Sequence, residues 1–458
     1  MFGCFKRNLI KDVKVAQLGG YIGEHAAYHH GEMSLYDTII RMAQNFVGSN
    51  NINLLVPQGQ FGTRLAGGKD HASPRYIYTR LSDDTKKIFN EHDMKVLKYK
   101  EEEGIGIEPD WYVPSLPMIL INGTSGIGTG WATDVPCYNP KDCIKNIKRL
   151  IKGKEPKKMH PWYRGFKGTI EEEEGGRYIC KGVYKKIGNN ILEITELPIG
   201  IWTTKTKEYY ESLTTDAPTA PTKRQSPKAQ SRATKAKAKS AKAKDKKSEA
   251  IIDTVKNFSS DEEVKIHLFF KPGELMDLED KGSNELEKKL KLKTSFTTTN
   301  MVLFNPEGKL VRYETAEDIL KDYFKVRIEF YQKRKEYLTK KYEKDVSYLS
   351  AKVRFIELYL DGTIKLAKVK ANKVYEQLEE LKFPKFKNRN VEDSDEDGND
   401  EKGNYDYLVR MPLISLTKEK MKDLEEELEK NKKELDTING KTKYNLWEDD
   451  LDVLEKNL

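Results

Sequence analysis

Cysteine is scarce: four in 458 residues, at Cys4, Cys137, Cys143 and Cys180, with no pair at CxxC spacing. That scarcity excludes a disulfide framework and a zinc knuckle, and it fits a reducing interior. No run approaches about 18 uninterrupted apolar residues, which excludes a membrane-spanning helix, and Met1-Phe2-Gly3-Cys4 lacks the charged-then-apolar layout of a secretory signal. No GxxxxGK[ST] phosphate loop occurs, and Gly126, Gly128 and Gly130 do not keep the dinucleotide spacing, so no ATP site is legible. Asp393, Asp395, Asp397 and Gly398 open like a calcium loop, but Asn404 stands where a bidentate Glu is required. Asn122-Gly123-Thr124 matches a glycosylation acceptor without any sign of secretion, so it reads as chance.

What is present is charge, 34% of the residues, with a net +8. Eleven Lys or Arg against Asp245 alone lie between Lys223 and Lys247, which is +10 and leaves about −2 for the remainder. The bulk of the chain is therefore not basic, and a nucleic-acid face on it must be a local concentration. Length allows roughly three domains.

Residues 1 to about 135 mix short apolar clusters, Gly-rich turns and abundant Asn, as expected of a compact α/β unit. Leu35, Ile39, Met42 and Phe46 predict a helix over Ser34–Val47, and Val13–Leu18 enters another. Glycines from Gly59 to Gly68, with Pro74, predict loop or wing. Strands are expected at Thr169–Ile170, Tyr178–Ile179, Ile191–Ile194, Val264–Phe270 and Met301–Phe304. Residues 213–250 are Thr, Ala, Pro, Ser and Lys and cannot pack a core; since strand-like runs resume after them, they read as a disordered insertion inside a domain. Thr315 with Asp318 opens a capping-box-like start, and an apolar stripe from Ile319 to Leu360 predicts one helix of about 45 residues, close to 70 Å, ended by Asp361-Gly362. Met421, Leu424, Leu428 and Leu435 supply a returning antiparallel helix, so the C-terminal third reads as a coiled-coil stalk holding a small apolar module.

Two stretches carry candidate chemistry. In Ala27-Tyr28-His29-His30-Gly31-Glu32 the adjacent imidazoles point apart and chelate poorly, leaving a structural role or donation to a phosphate at a helix entry. In the second, Arg64, Lys69 and Arg75 bring positive charge to a Gly-rich loop, and Tyr76 follows Arg75. A phenol can attack phosphorus if a guanidinium stabilises the charge on the phosphoryl oxygens.

As whole strings these stretches, with AYHHGE at 27–32, AQNFVGSNN at 43–51, GQFGTRL at 59–65, GGKD at 67–70, ASPRY at 72–76, GIGTGW at 126–131, FKGTI at 166–170, ITELP at 194–198 and NLWEDDL at 445–451, closely resemble the breakage-reunion region of eukaryotic-type (type IIA) DNA topoisomerase II. The likeness covers nearly everything except the Lys-rich insertion and the 380–404 loop. It implies an α+β fold: a winged helix over 1–120, a β-containing tower over 121–314 interrupted by 213–250, and a long antiparallel coiled-coil exit gate over 315–458 with an acidic loop near 390–404. It implies a DNA topoisomerase, an ATP-hydrolysing type II isomerase, cutting both strands of double-stranded DNA through 5′-phosphotyrosyl links so that a second duplex can pass.

By the same resemblance Tyr76 is the nucleophile, Arg75 its transition-state partner, Ile127 an intercalating wedge, and Tyr28, His30, Ser34, Lys69 and Trp202 contact DNA. No metal ligand is expected in this chain. Mg²⁺ and ATP belong to metal-binding and ATPase portions expected before residue 1, in cis or as a separate subunit, and the working form is a homodimer, nuclear and without membrane contact. A rival reading keeps the fold and lets it bend DNA without cutting. One departure stands out: the family usually has a basic residue two positions before the tryptophan matched by Trp202, where this chain has Gly200. The insertion is not a family feature, and we expect it to tether DNA non-specifically. A chain lacking residues 214–249 should then bind duplex DNA with a shallower dependence on salt than the intact chain; identical salt titrations of the two would remove that role.

Overall fold

In a computed structural model, residues 1–102, 104–214, 250–366, 369–386, 403–412 and 417–458 are described. The 215–249 part of the expected insertion, the calcium-like Asp393–Gly398 and most of the expected acidic loop lie outside these residues.

The chain opens with helix α1 (Phe2–Lys6), strand β1 (Val13–Lys14), α2 (Val15–His25) and α3 (Glu32–Ala43). α2 and α3 pack through Val15, Leu18 and Ile22 against Leu35, Ile39 and Ile40, all buried at helical spacing. α3 starts two residues earlier than the stripe suggests and stops at Ala43, short of Val47. Gln44 leaves the helix because its buried amide is needed elsewhere, donating to the Phe61 and Gly68 carbonyls at 2.9 and 3.0 Å. β2 (Tyr78–Thr79) pairs antiparallel with β1. After it come α4 (Asp83–Ile88), α5 (Glu91–Met94), the hairpin β3 (Tyr99–Glu102) with β4 (Ile105–Pro109), and α6 (Met118–Ile121).

A second hairpin, β5 (Thr124–Gly128) with β6 (Trp131–Val135), leads into α7 (Pro140–Ile151). β7 (Thr169–Glu172), β8 (Arg177–Lys181), β9 (Val183–Gly188) and β10 (Ile191–Glu196) precede α8 (Thr203–Glu211); β11 (Ile252–Asn257), β12 (Ile266–Phe270), α9 (Glu274–Asp280), α10 (Ser283–Lys289), β13 (Lys293–Thr297), β14 (Met301–Phe304) and β15 (Leu310–Tyr313) complete this middle part. Two larger antiparallel sheets result, in the orders β11-β12-β10-β9 and β13-β8-β7, and β14 pairs antiparallel with β15. Leu213 and Ile252 share one apolar core, the Ile252 N–H donates to the Leu213 carbonyl at 3.2 Å, and Thr214 bridges Ile252. The two ends of the Lys-rich stretch therefore meet in one core.

α11 (Ala316–Leu360) is a single helix of 45 residues, opened by a capping box in which Thr315 and Asp318 satisfy each other's backbone N–H. α12 (Ala371–Glu380) and α13 (Asp406–Val409) build the small module on Ala351 and Phe355; α14 (Lys418–Gly440) returns, burying Leu424 and Leu428 against Leu349, Val353 and Ile356. α15 (Lys443–Glu455) ends the chain at the root of the stalk. There the largest core gathers α7, α11 and α15, with Trp447 fully buried and stacked on Tyr331 and Phe324 at 5.2 and 5.1 Å. The mixture of helices and antiparallel sheets is the expected α+β class, with the long stalk in place.

Two cations are buried at this root. Arg327 donates to Asp93 at 2.7 Å, and Arg334 reaches Asp93 at 3.4 Å and Asp450 at 2.8 Å. Both guanidiniums also lie near the Tyr331 ring, at 4.0 and 4.8 Å. Removing one member of such a cluster strands the other charges in a low-dielectric site. Asp93→Ala should lower stability by about 3–5 kcal/mol, read as an earlier urea midpoint by tryptophan fluorescence; an unmoved midpoint would deny the cluster that role.

Candidate nucleic-acid interface

Tyr76 is displayed by the residue after it. Ile77 is buried at 1% exposure and anchors the turn, while Tyr76 stands 69% exposed. The backbone is pinned on both sides: the Val15 N–H donates to the Ile77 carbonyl at 3.0 Å, and the Ala16 N–H to the Pro74 carbonyl at 3.1 Å. The Tyr76 N–H closes the turn on the Ser73 carbonyl at 2.9 Å. Thus the first turn of α2 fixes the loop, and the phenol projects from a rigid base. The Arg75 guanidinium lies 5.9 Å from the Tyr76 ring centre, also exposed.

The glycine-rich loop beside it is a built structure. Asp70 accepts from the Thr63 N–H at 2.9 Å and from its hydroxyl at 2.5 Å, which closes the loop and leaves neighbouring Lys69 pointing to solvent. Gly67, at φ +65°, lies under the Trp202 indole, where a Cβ would sit 2.4 Å from ring atoms. Trp202 is half-buried, edge-on to Phe46 at 5.8 Å, and stands at the position just before α8. Gly200, two residues earlier, stands in open space. Arg64 corrects the sequence expectation: it is buried and bonded to the buried carboxylate of Glu196, so it adds no charge to the surface. The exposed cations here are Lys69 and Arg75.

Tyr28 and His30 meet edge to face at 5.6 Å just before α3, with Tyr28 half-buried on the helical core and His30 exposed. Ser34 is exposed in the first turn of α3, whose N-cap is Gly31, a residue with no side chain to satisfy the free N–H groups. That end favours an anion, although Glu32 shares it. His29 turns away, its Nε2 3.4 Å from Glu102. Ile127 belongs to a different element, the tip of the β5–β6 hairpin, 92% exposed; Trp131 near it packs on Phe304 at 5.7 Å. The structure thus joins Tyr76 with Arg75, Lys69 with the loop under Trp202, and Tyr28 and His30 with the entry of α3; Ile127 stands on its own hairpin.

Some framework residues carried no readable signal beyond an unusual number of asparagines. Buried Asn51 donates to the Tyr138 and Trp162 carbonyls at 3.1 and 3.0 Å and accepts from the Arg164 N–H at 2.8 Å. This stitches the segment after α7 beneath the loop that follows α3. The Arg164 guanidinium then reaches the Asn45 carbonyl at 3.2 Å. Asn122 accepts from and donates to the Ile52 backbone at 3.0 and 2.8 Å, a structural use for the glycosylation-like triplet.

The thiols are poor competitors as nucleophiles. All four cysteines are buried and free; burial pushes Cys180 up to about 11 and Cys137 up to about 12, and raises Cys4 and Cys143 as well. Among the described residues no group of three His, Cys, Asp or Glu is arranged to hold a metal, and the carboxylate nearest in sequence to Tyr76, Asp70, is already engaged by Thr63. These residues do not fit a Mg²⁺ site, and no step is assigned to one. What remains is an exposed phenol on a rigid turn with a guanidinium beside it, a geometry suited to attack on a phosphodiester.

Comparison with known proteins identifies the family. The profile of the family that comprises the A subunits of DNA gyrase/topoisomerase IV matches residues 1–226 and 227–452. The chain is 42% identical over 477 residues to a DNA topoisomerase 2 of Plasmodium falciparum, covering 100% of this chain and 32% of that protein. It is 37% identical over 491 residues to that of Saccharomyces cerevisiae, covering 99% and 32%. The chain spans about a third of the length of these curated relatives. A crystal structure of the Plasmodium falciparum topoisomerase II DNA-binding, cleavage and re-ligation domain superposes with a TM-score of 0.85 at 42% identity, covering 99% of this chain and 59% of the other. With its whole length matched in sequence and in fold, the chain belongs to the DNA gyrase/topoisomerase IV A-subunit family.

Proposed function

We propose that this chain is the breakage-reunion part of a type II DNA topoisomerase. The observation that carries the reading is the display of Tyr76 by buried Ile77, with Arg75 beside it. The phenol oxygen attacks a DNA phosphorus; the bond from phosphorus to the 3′ oxygen breaks, a tyrosyl–5′-phosphate bond forms, the phenol gives up its proton and the departing 3′ oxygen takes one up. The free energy of the broken bond is kept in the phosphodiester to tyrosine, so religation is the same step reversed. Arg75 stabilises charge on the phosphoryl oxygens. Lys69, Ser34, His30 and Tyr28 position the backbone, Trp202 holds the loop that carries Lys69, and Ile127 enters the stack and bends the duplex.

Winged-helix, tower and stalk divisions at 120 and 314 follow the same reading. A homodimer joined through the stalk supplies two copies of Tyr76, one for each strand. Mg²⁺ and ATP come from metal-binding and ATPase portions, in cis or as a separate subunit, and the site of action is the nucleus.

Covalent trapping tests the reading. With end-labelled duplex, Mg²⁺ and a metal-binding half from a related enzyme, detergent quenching should yield protein-linked 5′ ends. Tyr76→Phe should abolish them and leave duplex affinity within about threefold, and Arg75→Ala should reduce them by roughly 10²–10³-fold. Linkage that survives Tyr76→Phe would sink the assignment; no linkage by the intact chain, with tight duplex binding, would favour a bending protein that does not cut.

A further inference from the structure

Outside the Lys-rich insertion, the densest positive charge in the chain is not near Tyr76. Residues 141–158 hold eight Lys or Arg against Asp142 and Glu155, although the chain without its insertion is slightly acidic. Lys141, Lys145, Lys148 and Lys152 recur along the solvent side of α7, whose other side buries Cys143, Ile144 and Ile147 in the largest core. At 1.5 Å per residue this stripe is about 16 Å long.

The segment after the helix is folded back to make the second wall. Buried Asn146 donates to the Lys157 carbonyl and accepts from the Lys157 N–H, both at 2.8 Å, and Arg149 donates to the Glu155 carbonyl at 2.8 Å. These clasps fix Lys154 and Lys157 opposite the α7 stripe across a groove of about 550 Å³. Lys148 is committed to Asp452 and Glu455 of α15, at 2.6 and 2.5 Å, and holds the groove against the stalk root. Lys154 and Lys157 have no carboxylate partner among the described residues. Basic residues in the last turn of a helix answer its dipole, which accounts for Lys148 and Arg149 but not for those beyond the helix end.

We propose that this groove is a further DNA-contact surface, binding the phosphate backbone of a duplex through charge alone. No apolar or aromatic residue lines it, so it offers no seat for a peptide side chain and no platform for an unstacked base. A linear, rigid polyanion remains, and about 16 Å of helix faces roughly five phosphates of one strand at 3.4 Å each. The proposal rests on the reading of the chain as a DNA-processing protein, and it concerns residues that take no part in the chemistry of Tyr76.

The test replaces Lys145, Lys152, Lys154 and Lys157 together with Gln, leaving Lys148 and Arg149 to their structural bonds, and measures duplex affinity against salt by fluorescence anisotropy with the full chain. Each lost phosphate contact removes about 0.9 from the slope of log K on log salt, so the slope should fall by roughly 2–4. Replacing the same four with Arg should keep it. Neutralising Lys422, Lys430, Lys432 and Lys433 on α14 should also leave it unchanged. Equal slopes for the groove variant and the parent, or an equal loss from the α14 set, would overturn the proposal. Covalent trapping at saturating DNA should match the parent and reports that the variant is folded. A parent chain that binds no duplex would instead refute the breakage-reunion reading on which the groove depends.

Discussion

The surface around Tyr76 depends on a charge pair that never reaches the surface. Arg64 comes from the glycine-rich loop and Glu196 from the end of β10, and both are buried. Glu196 also accepts from the Leu197 and Lys167 N–H groups at 2.9 and 3.2 Å, so its lone pairs are used as well as its charge. A buried pair contributes to stability only when its remaining hydrogen-bonding capacity is met; otherwise desolvation outweighs attraction. Here it is met on the carboxylate side, and the pair fastens the loop to the sheet unit. The Thr204 N–H, donating to the Leu65 carbonyl at 3.0 Å, and the indole of Trp202 over Gly67 follow from that joint. Lys69 and Asp70 take their places because the loop beneath them cannot slide.

This explains why part of the molecule could be read from sequence and part could not. The stalk was legible because its determinants are local: Thr315 and Asp318 cap it, apolar residues repeat at three and four, and Asp361-Gly362 stops it. Strands β7, β8, β10, β12 and β14 were legible from apolar runs bounded by turns. The end of α3 was not, since Gln44 abandons helical geometry for carbonyls 17 and 24 residues away. Arg64 was misread for the same reason: nothing local separates a cation that will face Glu196, 132 positions on, from one that will face water. Tyr76 and Ile127 conflict with burial and make no pattern, being large hydrophobic side chains left in solvent. Their whole strings marked them, and periodicity did not.

The core at the stalk root has a related lesson. It draws Ile52 and Ile88, then Ile144 and Ile147, then Ile319 and Leu320, and finally Trp447 and Leu451 into one packed body. Residues far apart in the chain therefore share one hydrophobic unit, and the indole N–H of Trp447 donates to the Ser115 carbonyl at 3.1 Å across it. The root of α11 is seated in the same body that carries α4 and α7, and Arg327 and Arg334 extend that seating through Asp93 at the end of the short helix α5.

A helix of 45 residues held this firmly at one end is a lever. The seat extends along α11 to Arg334 and Leu338, so its far end at Leu360 lies about 33 Å beyond the seat, and a tilt of about 5° at the root swings the tip through about 3 Å. Small rearrangements in the packed base are thereby carried outward to the small module around Phe355 and Phe383. Stiffness along the shaft, supplied by the returning α14, is what keeps that motion from being lost in bending.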